Sequence, residues 1–342
     1  VTTALITGGA GFIGHHFVEH VLRNTDWELV LLDRLDFSGN QNRLVEIADF
    51  DKHKRRMRWV FHDLKAPLNP QIVAQIGKVD YVFHLAASTH VDRSITHPME
   101  FVLDNVVGTA NVLDYCRAVE PQRIVYFSTD EVFGPAADPD HIPPFRSHSP
   151  TNRVAYREWD RYRSANPYAA TKAGAEELCL AYENTYKLPI LITHCMNVIG
   201  ERQSPEKYVP NTIAKVRDGR LVTVHADKTR TKAGSRFYIH ARNVADAVLT
   251  VVQKGTPGDK FNIVGEAECD NLRLAQMIAE VVGRPLQYEM VDFHSSRPGH
   301  DLRYALDGSK LAAMGWKPPV SFEQSLDRVV RWTLAHPRWL LS

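Results

Sequence analysis

Ser128-Thr-Asp-Glu131 follows the apolar run Ile124-Val-Tyr-Phe127. A hydroxyl, Thr129, and two adjacent carboxyls, Asp130 and Glu131, end a strand that reads as buried, residue types that can carry proton-transfer chemistry. A turn is the plain alternative, because Asp and Ser favour turns and Gly134-Pro135 comes next. A second pair, Tyr168 and Lys172, has the i, i+4 spacing that puts both side chains on one helix face. An ammonium beside a phenol lowers the phenol's pKa from about 10, which makes a usable base near neutrality.

A third constellation, Thr7-Gly-Gly-Ala-Gly-Phe-Ile-Gly14, lies between a strand and an amphipathic helix. Its glycines, Gly8, Gly11 and Gly14, let the backbone turn tightly, approach a pyrophosphate and pack helix on strand. Asp33 ends the next strand about 20 residues later, the distance expected of an acid that accepts the ribose hydroxyls of a dinucleotide. It favours NAD over NADP, whereas its neighbour Arg34 pulls the other way. Asp63, after the third strand, either caps a turn or contacts the adenine.

The elements that must hold these residues recur as continuous apolar strands: 4–6, 29–32, 59–61, 81–85, 124–127 and 190–192, with helix-like segments between. That alternation predicts an α/β fold, a Rossmann-type doubly wound parallel sheet whose ligands lie beyond the carboxyl ends of its strands. After about residue 195 prolines, arginines and glycines interrupt the pattern. Residues 1–194 with 236–262 then form the NAD-binding domain, and 195–235 with 263–342 a smaller C-terminal substrate-binding lobe.

With 342 residues, 44% of them hydrophobic and 24% charged, the chain reads as an ordinary globular protein. A net charge of +1 excludes global attraction to nucleic acid or anionic membranes. The basic run Lys52 to Arg58 is read as a solvated helix end or loop. Cys116, Cys179, Cys195 and Cys269 are too scattered to suggest a disulfide framework or a metal pair. No signal peptide or bilayer-spanning run is visible, and the expected location is cytoplasmic.

The glycine pattern, Tyr168 with Lys172, and Thr129 resemble the extended short-chain dehydrogenase/reductases. The stretches 33–40, 84–94, 128–134 and 297–304 resemble one branch, the dTDP-glucose 4,6-dehydratases. The resemblance implies a nucleoside-diphosphate hexose substrate and NAD as cofactor. Tyr168, ionised beside Lys172, would take the C4 hydroxyl proton with Thr129 supporting the carbonyl; Glu131 would be the C5 base and Asp130 the acid for the departing C6 hydroxyl. It also implies Phe12, Ile13, Leu64 and Ala86 along the cofactor, and Ser88, Asn197, Lys207, Arg236, Arg297 and His300 around the substrate. A homodimer is implied as well, pairing helices at 105–116 and 169–186. The family usually has Glu at the position of Ser88. Residues 151–165 are longer and more basic than its pattern, either an added substrate clamp or an exposed loop. A nucleotide-sugar 4-epimerase or UDP-glucuronate decarboxylase on the same scaffold is the rival reading, and a non-catalytic dinucleotide sensor the remote one. The choice between thymidine and uridine stays open.

Overall fold

A computed structural model describes residues 1–36, 38–136, 154–292 and 302–341. Seven parallel strands form one sheet: β1 (Thr3–Thr7), β2 (Glu28–Asp33), β3 (Met57–Phe61), β4 (Tyr81–His84), β5 (Arg123–Thr129), β6 (Ile190–Cys195) and β7 (Lys260–Ile263), in the spatial order β7-β6-β5-β4-β1-β2-β3. The order reverses between β1 and β4, which opens a crevice at the carboxyl ends of the strands. The strands are apolar on both sides because both faces are covered. Ala4, Ile6, Leu29 and Leu31 pack into one core and Leu5, Val30 and Leu32 into the other, as the twofold alternation of a strand requires.

Among the described residues, seven helices have ten or more residues: α1 (Phe12–Asn24), α2 (Gly108–Val119), α3 (Pro167–Tyr186), α4 (Tyr208–Arg217), α5 (Ala241–Lys254), α6 (Asn271–Val282) and α7 (Phe322–Ala335). On one face α1 brings Phe17, Val18 and Val21 against Val244, Val248 and Val251 of α5. On the other, α2 and α3 bury Val112, Leu113, Cys116, Ala175 and Cys179. A further apolar cluster lies apart from those two, in which Val209 and Ile213 of α4 meet Leu274 and Ile278 of α6 and Leu326 and Val329 of α7. Leu311, far along the chain, joins the core on the α1 face of the sheet.

Two expectations change. The basic run is not simply solvated: Arg56 donates to the carbonyls of Leu22, Thr25 and Trp27, satisfying the end of α1 and the turn into β2. The described part of 151–165 is not a bare loop either. Tyr156 and Glu158 are buried, and Glu158 Oε1 accepts from Asn262 N (3.2 Å) on the edge strand β7. Lys310 Nζ donates to Lys260 O of the same strand (2.8 Å), and Asn262 Nδ2 donates to Tyr156 O and Asp307 O. Beneath, the buried Glu176 of α3 accepts from Ser128, Tyr162 and His194 and pairs with Lys260 at 3.0 Å, so side chains from four segments neutralise one buried carboxylate.

The same segment fixes the turn after β5. Gly134 has φ +78°, and a Cβ there would overlap the carbonyl oxygen of Arg163, whose own N–H donates to Val132 O at 2.8 Å. Gly134→Ala is therefore expected to cost about 2 to 4 kcal/mol, combining backbone strain with a displaced segment. Urea unfolding checks it, and a midpoint equal to that of the parent chain would contradict the packing described.

Candidate active site

At the carboxyl ends of β1, β2, β4 and β5 a single large cleft runs from Asp33 to Lys207. The glycine turn forms its floor. Gly11 N donates to Gly8 O (3.0 Å), and a Cβ at Gly14 would overlap that same carbonyl, so only glycine lets α1 start this close to β1. Gly11 is the N-cap of α1 and gives no side-chain cap. The amides of Phe12 and Ile13, at the positive end of the helix, are left to face the cleft that both residues line.

Asp33 closes β2 with its carboxylate fixed by Ala10 N (3.0 Å) and Leu35 N (2.9 Å). Burial raises its pKa against the pull of those two amides. Arg34 does not project as a free cation. Its guanidinium makes a forked pair with Asp104 (2.6 and 2.9 Å), a bond to Asp36 (2.6 Å) and a longer one to Asp63 (3.4 Å). Three carboxylates thus neutralise the charge that a 2′-phosphate would need. Asp63 also accepts from Lys65 N at 3.0 Å, the turn-capping alternative, and lines the cleft with Leu64 and Ala86. Ser88 lines the cleft too, but its hydroxyl is taken by Asp104 (2.6 Å) and its amide by Asn105 (2.8 Å). Sequence reading missed Asp104, which no local pattern connects to Arg34.

The acid pair opens a short 3₁₀ turn at Asp130–Phe133, directly after β5. Thr129 Oγ1 donates to Asp130 Oδ1 (3.0 Å), while Asp130 Oδ2 is buried with no hydrogen-bond partner among the described residues. Burial and then the neighbouring charge of Glu131 push the Asp130 carboxyl up to about 7. Glu131 is less buried, and its Oε2 accepts from Asn166 Nδ2 at 3.0 Å. Two adjacent carboxyls therefore have different surroundings, one holding a proton near neutrality and the other held by an amide donor.

Tyr168 lies, buried, in the first turn of α3 and lines the same cleft as Thr129. The expected lysine effect on it is absent here. Lys172 Nζ turns to Phe127 O (2.6 Å) and sits 4.2 Å over the Tyr126 ring, and burial lowers its pKa to about 8. Burial and then the charge of Glu131 raise the phenol. The i, i+4 spacing put both residues on one face, yet a flexible ammonium goes to the nearest strong acceptor.

Asn197 and Lys207 line the far end of the cleft, Lys207 as the N-cap of α4. Arg236 is not among the residues that line the cleft; its guanidinium lies 4.5 Å over the Tyr304 ring and donates to Leu302 O (2.7 Å), with its charge acting on Asp130. Arg297 and His300 lie outside the described residues. Beside the glycine turn, His84 bridges Thr7 (2.7 Å) and Thr109 (3.0 Å), and burial lowers its pKa to about 3. It serves as a neutral tie between β1, β4 and α2, a role sequence reading did not find.

A parallel sheet with a glycine-turned cradle, and a Tyr168–Lys172 helix facing Thr129 across it, define an extended short-chain dehydrogenase/reductase. A family model described as GDP-mannose 4,6 dehydratase matches residues 5–329. The chain is similar to dTDP-glucose 4,6-dehydratase 1 of Escherichia coli (strain K12), 34% identical over 98% of this chain and 94% of that protein. It is also similar to the low-salt glycan biosynthesis protein Agl12 of Haloferax volcanii, 36% identical over 96% of this chain and 98% of that one. The crystal structure of DesIV, a dTDP-glucose 4,6-dehydratase from Streptomyces venezuelae with NAD and TYD bound, superposes with a TM-score of 0.85 at 32% identity, covering 99% of this chain and 98% of that chain. The chain belongs to the dTDP-glucose 4,6-dehydratase family.

Proposed function

We propose that this protein is an NAD-dependent nucleoside-diphosphate-glucose 4,6-dehydratase, converting dTDP-glucose to dTDP-4-keto-6-deoxyglucose. The observation that carries the reading is the split acid pair. Asp130 keeps a proton to near pH 7 with one oxygen unpaired, and Glu131 is held beside it by an amide donor. An epimerase or decarboxylase forms the same C4 ketone but has no use for a second, protonated carboxyl.

The cleft suits the cofactor: unclaimed amides at the start of α1 for the pyrophosphate, Asp33 for the ribose, and Arg34 neutralised so that NAD is preferred to NADP. NAD held there would supply a hydride acceptor for C4 and, once reduced, a hydride donor for C6. The residues manage the protons around that exchange. Tyr168 removes the C4 hydroxyl proton, with Lys172 behind it to offset the charge that forms, and Thr129 donates toward the developing carbonyl. The ketone acidifies the C5 hydrogen, Glu131 takes it, and Asp130 protonates the departing C6 hydroxyl. Glu131 then returns its proton to C5. Asn197, Lys207, Arg236, Arg297 and His300 are assigned to the nucleotide diphosphate or its base, by which the substrate must stay gripped until hydride has come back.

Mass analysis after incubation with dTDP-glucose and, separately, UDP-glucose tests this reading. A product lighter by one water, about 18 Da, without net reduced nicotinamide is expected, because the cofactor is regenerated. Unchanged mass with NAD supplied would refute it.

We also infer a homodimer formed through α2, α3 and the neighbouring segment. Ala181 of α3 is exposed and Leu180 beside it half-buried, and Met99 and Leu103 are exposed on the neighbouring helical turns, an apolar layer suited to a second copy. Light scattering at micromolar concentration should give twice the chain mass, and a monomer mass would contradict the inference.

A further inference from the structure

Asn166 was not among the residues expected to take part. Its side chain is buried, 6% exposed, between the base and the helix that carries Tyr168. It is the N-cap of α3: its Oδ1 accepts from Ala169 N at 2.8 Å, and its Nδ2 donates to Glu131 Oε2 at 3.0 Å. The two contacts fix the amide's orientation. A backbone N–H needs the oxygen and an ionised carboxylate offers only acceptors, so a flipped amide would lose both bonds. The backbone leading to it is pinned as well, through Arg163 N to Val132 O at 2.8 Å.

We propose that Asn166 is a positioning residue for the elimination step, fixing Glu131 toward C5 while it sets the start of the helix that brings Tyr168 to C4. A donor to the carboxylate favours its charged form, the one a base needs, and removes a rotamer search from each turnover. A single amide thus keeps the two bases in register although they lie on different elements. The inference rests on the dehydratase reading of the cleft.

Serine is the informative replacement, because it caps a helix about as well as Asn but is too short to serve both the cap and Glu131. In Asn166→Ser the water-loss step should slow about 10- to 100-fold, the range one hydrogen bond to a charged group spans. KM for dTDP-glucose and the rate of C4 oxidation should hold. Reduced nicotinamide would then build up on the enzyme in a single turnover, and deuterium from solvent would enter C5 more slowly. Asn166→Asp also preserves the cap and sets a like charge against Glu131, so its elimination should be slower than that of the Ser variant. A role confined to the cap would lower both steps and the melting temperature together, and that parallel loss would overturn the proposal. So would wild-type elimination in Asn166→Ser. An unsubstituted chain inert on the sugar nucleotide overturns the dehydratase reading and this inference with it, whereas a normal parent with an unaffected Ser variant overturns this inference alone.

Discussion

Asp130→Asn is expected to arrest turnover after oxidation at C4, lowering product formation about 10²- to 10⁴-fold, the usual worth of a positioned general acid. The substitution keeps the size of the side chain and its bond with Thr129 but leaves no proton to give a departing hydroxyl. The ketone and reduced nicotinamide should appear in a single turnover and persist, and the C5 proton should still exchange with solvent through Glu131. Unimpaired release of the dehydrated sugar would remove Asp130 from the mechanism. The pH dependence adds a second reading of the same group. Burial and the charge of Glu131 hold its pKa at about 7, so the acid is loaded below that pH and turnover falls as pH rises through it. The variant should lack that alkaline limb. Stability follows the same sign. A carboxyl whose folded pKa lies above its unfolded value of about 4 supports the fold most fully below pH 4, and the benefit is lost as pH rises to about 7. Thermal melts at pH 5 and pH 8 should therefore converge in Asp130→Asn relative to the parent chain.

Tyr168→Phe is expected to stop the sequence one step earlier. Without the phenol there is no base for the C4 hydroxyl, and a loss of about 10³- to 10⁴-fold should strike oxidation and water loss alike, with no reduced nicotinamide and no C5 exchange. The contrast with Asp130→Asn is what makes the pair informative: one variant halts before the ketone and the other after it. In the structure the phenol's pKa is raised by burial and by Glu131, with Lys172 turned toward Phe127 O. The base must therefore be ionised within the loaded cleft, where Lys172, its pKa lowered to about 8, still carries most of its charge near neutrality and can offset the phenolate. Product formation within tenfold of the parent would show that some other group removes the C4 proton.

The features legible in the sequence were those written locally. The glycine turn, Asp33 and the acid pair each occupy a short stretch whose backbone and chemistry are fixed by neighbours, and the strands announce themselves because both faces are buried. What escaped depends on elements far apart in the chain. Arg34 and Asp104 meet across 70 residues, Glu131 and Asn166 across 35, and the pairing is decided by packing that no spacing encodes. Lys172 shows the limit from the other side: helical periodicity chose its face correctly, but the end of a four-carbon stem answers to the nearest carbonyl. The basic run before β3 looked solvated because charge is usually exposed, whereas Arg56 has three backbone oxygens to satisfy.

The side chains laid along β7 have a bearing on what this protein can do at high concentration. An edge strand with open amides and carbonyls is a template on which a foreign or identical chain can add a strand, the first step toward fibrils and swapped sheets. Here Glu158 occupies an amide of that margin and Lys310 a carbonyl, both drawn from the chain itself. Strand addition on this side would have to break a buried carboxylate contact before gaining any bond of its own. Crowding in a cell should thus leave this margin of the sheet closed to templated growth.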